Sequence, residues 1–157
     1  MQTTQTGASF MRTLTIIYIA LSVGQLLFLF VASKVGGNLP ELHQTLRIIA
    51  PIVASVAVLA GSFVYMMKMN QIKLEQRLSD KLSGYLVANL MRWALLEMGA
   101  MFCLVCYFLT GNIWYAYLFA AAFLPFLINR PSLDKCLRQL PLSEREKNIL
   151  TSGEPIQ

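Results

Sequence analysis

One acidic residue, Glu97, stands deep inside an apolar stretch. Counted from Leu90, where that stretch begins, it lies about 10 Å along a helix of 1.5 Å rise per residue. A charged carboxylate at such a depth in a membrane is costly. It must be protonated, paired or turned to a wet cavity, and a carboxyl held in this way can carry a proton. Arg92 is the nearest cation in sequence, but five positions along a helix is about 140° of rotation, not the near-alignment of i and i+4. Arg92 adjoins Trp93 and can snorkel toward headgroups. Partners for Glu97 are therefore expected from other helices at similar depth: Ser62 and Tyr65 on the second span, Tyr18 and Ser22 on the first. Gln25 lies nearer the membrane centre and also needs a hydrogen-bond partner. Two uses follow for this polar set. It either ties helices together or supplies the titrating group of a proton- or ion-coupled transporter or channel component.

The other reactive side chains point to less. Cys103 and Cys106 share a helix face at i,i+3, but no second cysteine pair or nearby histidine completes a metal site, so they read as small buried residues. His43 is the single histidine, too few for bis-histidine haem ligation. Cys136 sits near the membrane in the tail, where acylation would be chemically permitted. Glu144 and Glu146 read as a solvated helix face. No phosphate loop, nucleophile elbow or paired-acid motif is present. No cofactor or metal is expected, and no enzymatic activity. An intramembrane enzyme would need a second polar group beside Glu97 and an opening for substrate.

The elements that hold these residues are set by composition. Of 157 residues, 56% are hydrophobic and 13% charged, about half the charged share of a soluble domain. Mean hydropathy is +0.56. Charges crowd into short segments and leave long uncharged runs, the pattern of an integral membrane protein. The runs predict an all-α four-helix transmembrane bundle forming a single membrane domain over 1–157. Its spans fall at about 13–33, 48–67, 90–109 and 112–129, with a loop at 68–89 and a tail at 130–157. The first run is too long for the core of a signal peptide and reads as a retained helix. Pro51 falls in the first turn of span two, where its missing N–H costs little. Thr110-Gly111-Asn112 makes a tight turn, and Gly36-Gly37-Asn38 with Pro40 another.

Charge asymmetry sets the orientation. With the N-terminus inside, Arg12, Lys68, Lys73, Arg77, Lys81, Arg130, Lys135, Arg138, Arg145 and Lys147 are cytoplasmic, and only Lys34 and Arg47 lie outside. Both termini and the loop at 68–89 are thus expected on the cytoplasmic side. The net charge of +5 reflects this asymmetry, not a nucleic-acid footprint. Trp93 at one boundary and Trp114, Tyr115 and Tyr117 at the other fit interfacial belts. Ile72, Leu74, Leu78 and Leu82, and in the tail Leu133, Leu137 and Leu140, are spaced to lay one helix face on the membrane surface.

Helices in lipid associate through close packing of small residues. Ala50, Ala54, Ala57 and Gly61 form one such stripe, which predicts that span two is central. Gly99 offers a matching surface on span three.

Four segments together, Thr13–Phe28, Arg92–Ala100 (R-W-A-L-L-E-M-G-A), Leu109–Asn112 and Asn129–Lys135, resemble small four-span inner-membrane proteins of Bacteroidetes-type bacteria, a family without an assigned activity. The resemblance implies fold and a bacterial inner-membrane location, not mechanism. A-L-L-E is also similar to the ion-carrying helix of the rotary-ATPase proteolipid, which would match Glu97 to the ion-binding carboxylate. The alternating glycines of that helix are absent here. The leading expectation is a non-enzymatic accessory or scaffold protein. Its partners would be the bilayer itself and another membrane protein or a second copy of the chain, with no nucleic acid.

Overall fold

The computed structural model describes residues 6–152 except 38 and 76; Asn38 of the expected first turn and the last residues of the tail, 153–157, thus lie outside the described residues. The chain is all-helical in element order: α1 Gly7–Val35, α2 Pro40–Ile72, α3 Leu78–Thr110, α4 Ile113–Ile128, α5 Leu133–Gln139 and α6 Glu144–Ser152. The first three are long and apolar enough to cross a membrane, and a fourth crossing is counted if α4 and α5, bent by 71°, are taken together. The 16 residues of α4 give about 24 Å, short of a hydrocarbon core of about 30 Å.

Each long helix runs beyond the span expected of it. The loop segment at 68–89, whose mixed charges and apolar spacing over Lys68–Leu82 read as a helical extension, is helical on either side of a short break between α2 and α3, as its good helix formers favour. Ile72, Leu78 and Leu82 of that segment are buried in the bundle core, whereas Leu74 is exposed. They cover the bundle end and do not form one membrane-surface face. Pro51 falls well inside α2, not in its first turn. Its ring denies Arg47 O the usual i→i−4 donor.

The centre of the bundle is α3, not α2: α1, α2 and α4 all pack against it. Of the most apolar stretch in each helix, 44% is buried in α3, 22% in α2 and 11% in α1. The small-residue stripe of α2 serves one face only, while α3 carries buried residues on several, among them Tyr85, Trp93, Leu96, Ala100, Leu104 and Cys106.

At one end the chain closes tightly. Gly111 takes a left-handed conformation (φ 64°) and its N–H bonds to Tyr107 O. A β-carbon is disfavoured in that region, so glycine ends the helix and α4 turns back antiparallel. The α1–α2 connection then supplies donors to the last carbonyls of α3, with Gly37 N–H to Phe108 O at 2.6 Å and Leu39 N–H to Leu109 O at 3.2 Å. At the other end α5 and α6 fold under the helices. Cys136, Leu140 and Leu150 join the same core cluster as Ile72, Leu82 and Tyr85. Of the tail leucines expected on a membrane surface, Leu140 is thus buried in the bundle and Leu137 packs against its core, while Leu133 is only partly buried. Full burial likewise removes Cys136 from any acylating enzyme.

Candidate functional site

The polar residues expected to surround Glu97 form other pairs. Tyr18 Oη donates to Phe126 O at 3.3 Å, and Ser22 Oγ turns back to Tyr18 O at 2.8 Å. Ser62 Oγ donates to Val58 O on its own helix at 2.9 Å. Tyr65 Oη reaches the tail and donates to Gln139 Oε1 at 2.7 Å. Short hydroxyl side chains in a helix commonly bond the carbonyl one turn back, which satisfies Ser22 and Ser62 without a tertiary partner.

Arg92 also turns away from Glu97. Its guanidinium lies 4.8 Å from the centre of the Tyr65 ring, across the α2–α3 seam, a cation–π arrangement. Its Nε is buried without a hydrogen-bond partner among the described residues. Tyr65, Arg92 and Gln139, with Tyr85 Oη 3.4 Å from the same Gln139 oxygen, thus form a polar knot that joins α2, α3 and α5. Nothing in the apolar pattern of the tail marks Gln139 for this role.

Glu97 is half-buried and, among the described residues, makes no hydrogen bond or ion pair with protein. Its level follows from two aromatic contacts between α1 and α3. Tyr18 packs on Trp93 with ring centres 5.5 Å apart, and Phe28 on Phe108 at 6.2 Å. Glu97 shares a helix stripe with Trp93, Met101, Leu104 and Phe108 at spacings of three and four, so it falls on the α1 side of α3. Within the same interval, Gln25 is wholly buried, and neither its amide nitrogen nor its amide oxygen has a partner among the described residues.

An amide buried without partners costs stability. Gln25→Leu, which keeps the size and removes the polar atoms, is expected to stabilise the bundle by about 1–2 kcal/mol. Detergent-denaturation midpoints of the purified protein check this; a lower midpoint would show that the amide serves a partner.

The helix-packing residues line a close seam. Ala50, Ala54, Ala57 and Gly61 are all buried. A β-carbon placed on Gly99 would stand 2.6 Å from Ala57 Cβ and 3.4 Å from Ala54 Cα. One on Gly61 would stand 3.3 Å from Arg92 O. Backbones that approach so closely leave room only for small residues.

Two of the aromatics expected at interfaces are core residues instead. Trp93 is fully buried and donates from Nε1 to Asn129 O at 3.1 Å, which captures a carbonyl left free at the end of α4. Tyr115 is also fully buried; its Oη donates to His43 O at 3.2 Å and lies 3.1 Å from His43 Nδ1. Trp114 and Tyr117 remain exposed.

In the tail, Glu146 is no solvated carboxylate. It pairs with the buried Lys81 at 2.9 Å, whereas Glu144 pairs with Lys147 on the surface. Among the described residues no group of three or more His, Cys, Asp or Glu side chains is placed to hold a metal ion. No protein-family model matches the chain, and no curated protein or solved structure is detectably similar to it.

Proposed function

We propose that the chain is a multi-pass accessory or scaffold protein of the bacterial inner membrane, without enzymatic activity, whose partners are the bilayer and a second membrane protein or another copy of itself. The destination of its intramembrane hydrogen bonds carries this reading. Tyr18 bonds to Phe126 O, Trp93 to Asn129 O and Tyr65 to Gln139, so each of these three side chains ties one element of the chain to another. The exposed apolar side chains of α1, such as Ile16, Leu27 and Phe30, suit lipid or a helical neighbour. Membership of the small four-span family belongs to this proposal, as do four crossings with both termini cytoplasmic. The Lys and Arg asymmetry supports that orientation.

A second reading rests on Glu97, a membrane carboxyl with no protein partner among the described residues. An ionisable side chain in that setting marks ion pathways in transporters. In that reading Glu97 is the titrating group of a proton- or ion-coupled transporter or channel component that self-associates to complete a pathway.

Liposomes containing the purified chain and a pH-sensitive dye separate the two. The accessory reading expects proton leakage equal to that of empty vesicles, unchanged by Glu97→Gln. Flux well above the empty vesicles and abolished by Glu97→Gln would overturn it in favour of the second.

A further inference from the structure

At the end of the bundle that carries the Thr110–Asn112 turn, His43, Arg47, Asn112 and Trp114 line a polar pocket of about 240 Å³. One turn farther into the bundle a second, apolar groove of about 410 Å³ opens between α2 and α4, with Pro51, Ser55 and Leu59 on one wall and Leu118, Ala122 and Pro125 on the other. Helix geometry joins the two. Arg47, Pro51, Ser55 and Leu59 recur every four residues, and so do Trp114, Leu118 and Ala122, so each set lies along one face. The pocket is therefore the polar head of the groove. From Arg47 to Leu59 the distance along α2 is about 18 Å, close to one leaflet of a hydrocarbon core plus its headgroup, since a leaflet is about 15 Å.

The chemistry of the two ends differs in the manner of an amphiphile. Arg47 is exposed and enters no ion pair among the described residues, in which both ion pairs involve other cations. Its guanidinium offers the forked donors that match a phosphate. Trp114, 47% exposed, stands beside it as an interfacial aromatic. Tyr115, through its contacts with both the ring and the carbonyl of His43, fixes the spacing of α2 and α4 at the mouth. Below the mouth, Ser55 is, among the described residues, the only polar side chain on the groove walls.

We propose that this site binds one anionic phospholipid, with its phosphate on Arg47 and one acyl chain lying in the α2–α4 groove.

Tryptophan quenching in proteoliposomes tests the assignment. The chain has two tryptophans, and Trp93 is fully buried, so quenching by lipids brominated on the acyl chain near the headgroup reports Trp114. Brominated phosphatidylglycerol is expected to compete for the site about fivefold better than brominated phosphatidylcholine, the increment of one surface cation. Arg47→Gln should bring that ratio to about one. Lys34→Gln, which removes the other cation at this end, should leave it unchanged. Ala121→Phe, which fills the groove, should weaken quenching by both lipids. Equal quenching by the two lipids in the unaltered chain would overturn the proposal. So would equal losses from Arg47→Gln and Lys34→Gln, or an Ala121→Phe variant that binds as before. A dimer broken by Ala121→Phe, with no quenching in the unaltered chain, would assign the groove to a second copy instead.

Discussion

Gly99→Leu is expected to destabilise the bundle by about 3 kcal/mol, the upper end of the cost of overpacking a close-packed interior. The reason is local. Even the β-carbon of alanine at this position would stand 2.6 Å from Ala57 Cβ, while the α2 backbone at Ala54 stays in ordinary contact at 3.4 Å. No rotamer of leucine avoids that first atom, so α2 and α3 must part along the seam that includes Ala50, Ala54, Ala57 and Gly61. Gly99→Ala should cost about 1–2 kcal/mol. Because its clash is with one atom, Ala57→Gly should recover most of that loss in the double variant, a coupling that distant sites do not show. Trp93 is fully buried and reports unfolding in a titration from mild to denaturing detergent. A Gly99→Leu midpoint within about 0.5 kcal/mol of the unaltered chain, the usual range of surface substitutions, would show that the seam is not closed as described.

What could be read from the sequence is set by the range of the interactions involved. Uncharged runs placed the long helices because the rule behind them is local. A helix satisfies its own backbone, and its length in an apolar solvent is fixed by counting. The Gly111 turn was legible for the same reason. Centrality was not. The alanines of α2 announce one close-packed face, but three neighbours require buried side chains around the helix, and on α3 several of these, Leu96 and Leu104 among them, are large apolar residues that a lipid-facing helix would also carry. The environment of Glu97 was legible in depth but not in partner. Its candidates, Tyr18, Ser22, Ser62 and Tyr65, stand at suitable heights, yet rotation about each helix axis decides which way they face, and carbonyls compete for their hydroxyls. Trp93 and Tyr115 misled in another way. Their positions near helix ends suit an interface, and only the fold reveals that Asn129 O and His43 O bring their polar atoms inside.

Another long-range contact missed in the sequence gives the second large effect. Lys81 at the start of α3 donates to Pro141 O at 2.9 Å and to both carboxylate oxygens of Glu146. Glu146 in turn accepts from Ser143 N–H at 2.7 Å and from the Ser143 hydroxyl at 2.9 Å, while its own N–H donates to Ser143 Oγ. This capping box starts α6, and Lys81 clamps it to the bundle. The side chains of Lys81 and Glu146 are 9% and 15% exposed, so removing one partner strands a largely desolvated charge, at about 3 kcal/mol. Lys81→Met should therefore raise the population with α6 undocked about 100-fold, read as lost amide hydrogen-exchange protection in Glu144–Ser152. Lys81→Met with Glu146→Leu should restore much of the protection, because an apolar pair of similar size also fills the site. Acid provides an independent arm. Burial pushes the Glu146 carboxyl up, but the hydrogen bonds from Lys81 and from Ser143 outweigh it and hold the group below its ordinary value. A depressed acid contributes stability that is complete above its unfolded value, about 4.3 for glutamate, and is lost as pH falls through the lower folded value. Protection of α6 should accordingly drop as pH falls below about 4, and Lys81→Met should flatten that drop. Equal protection in the Lys81→Met variant and the unaltered chain at neutral pH would show that the leucines of α5 and α6 hold the tail without the ion pair.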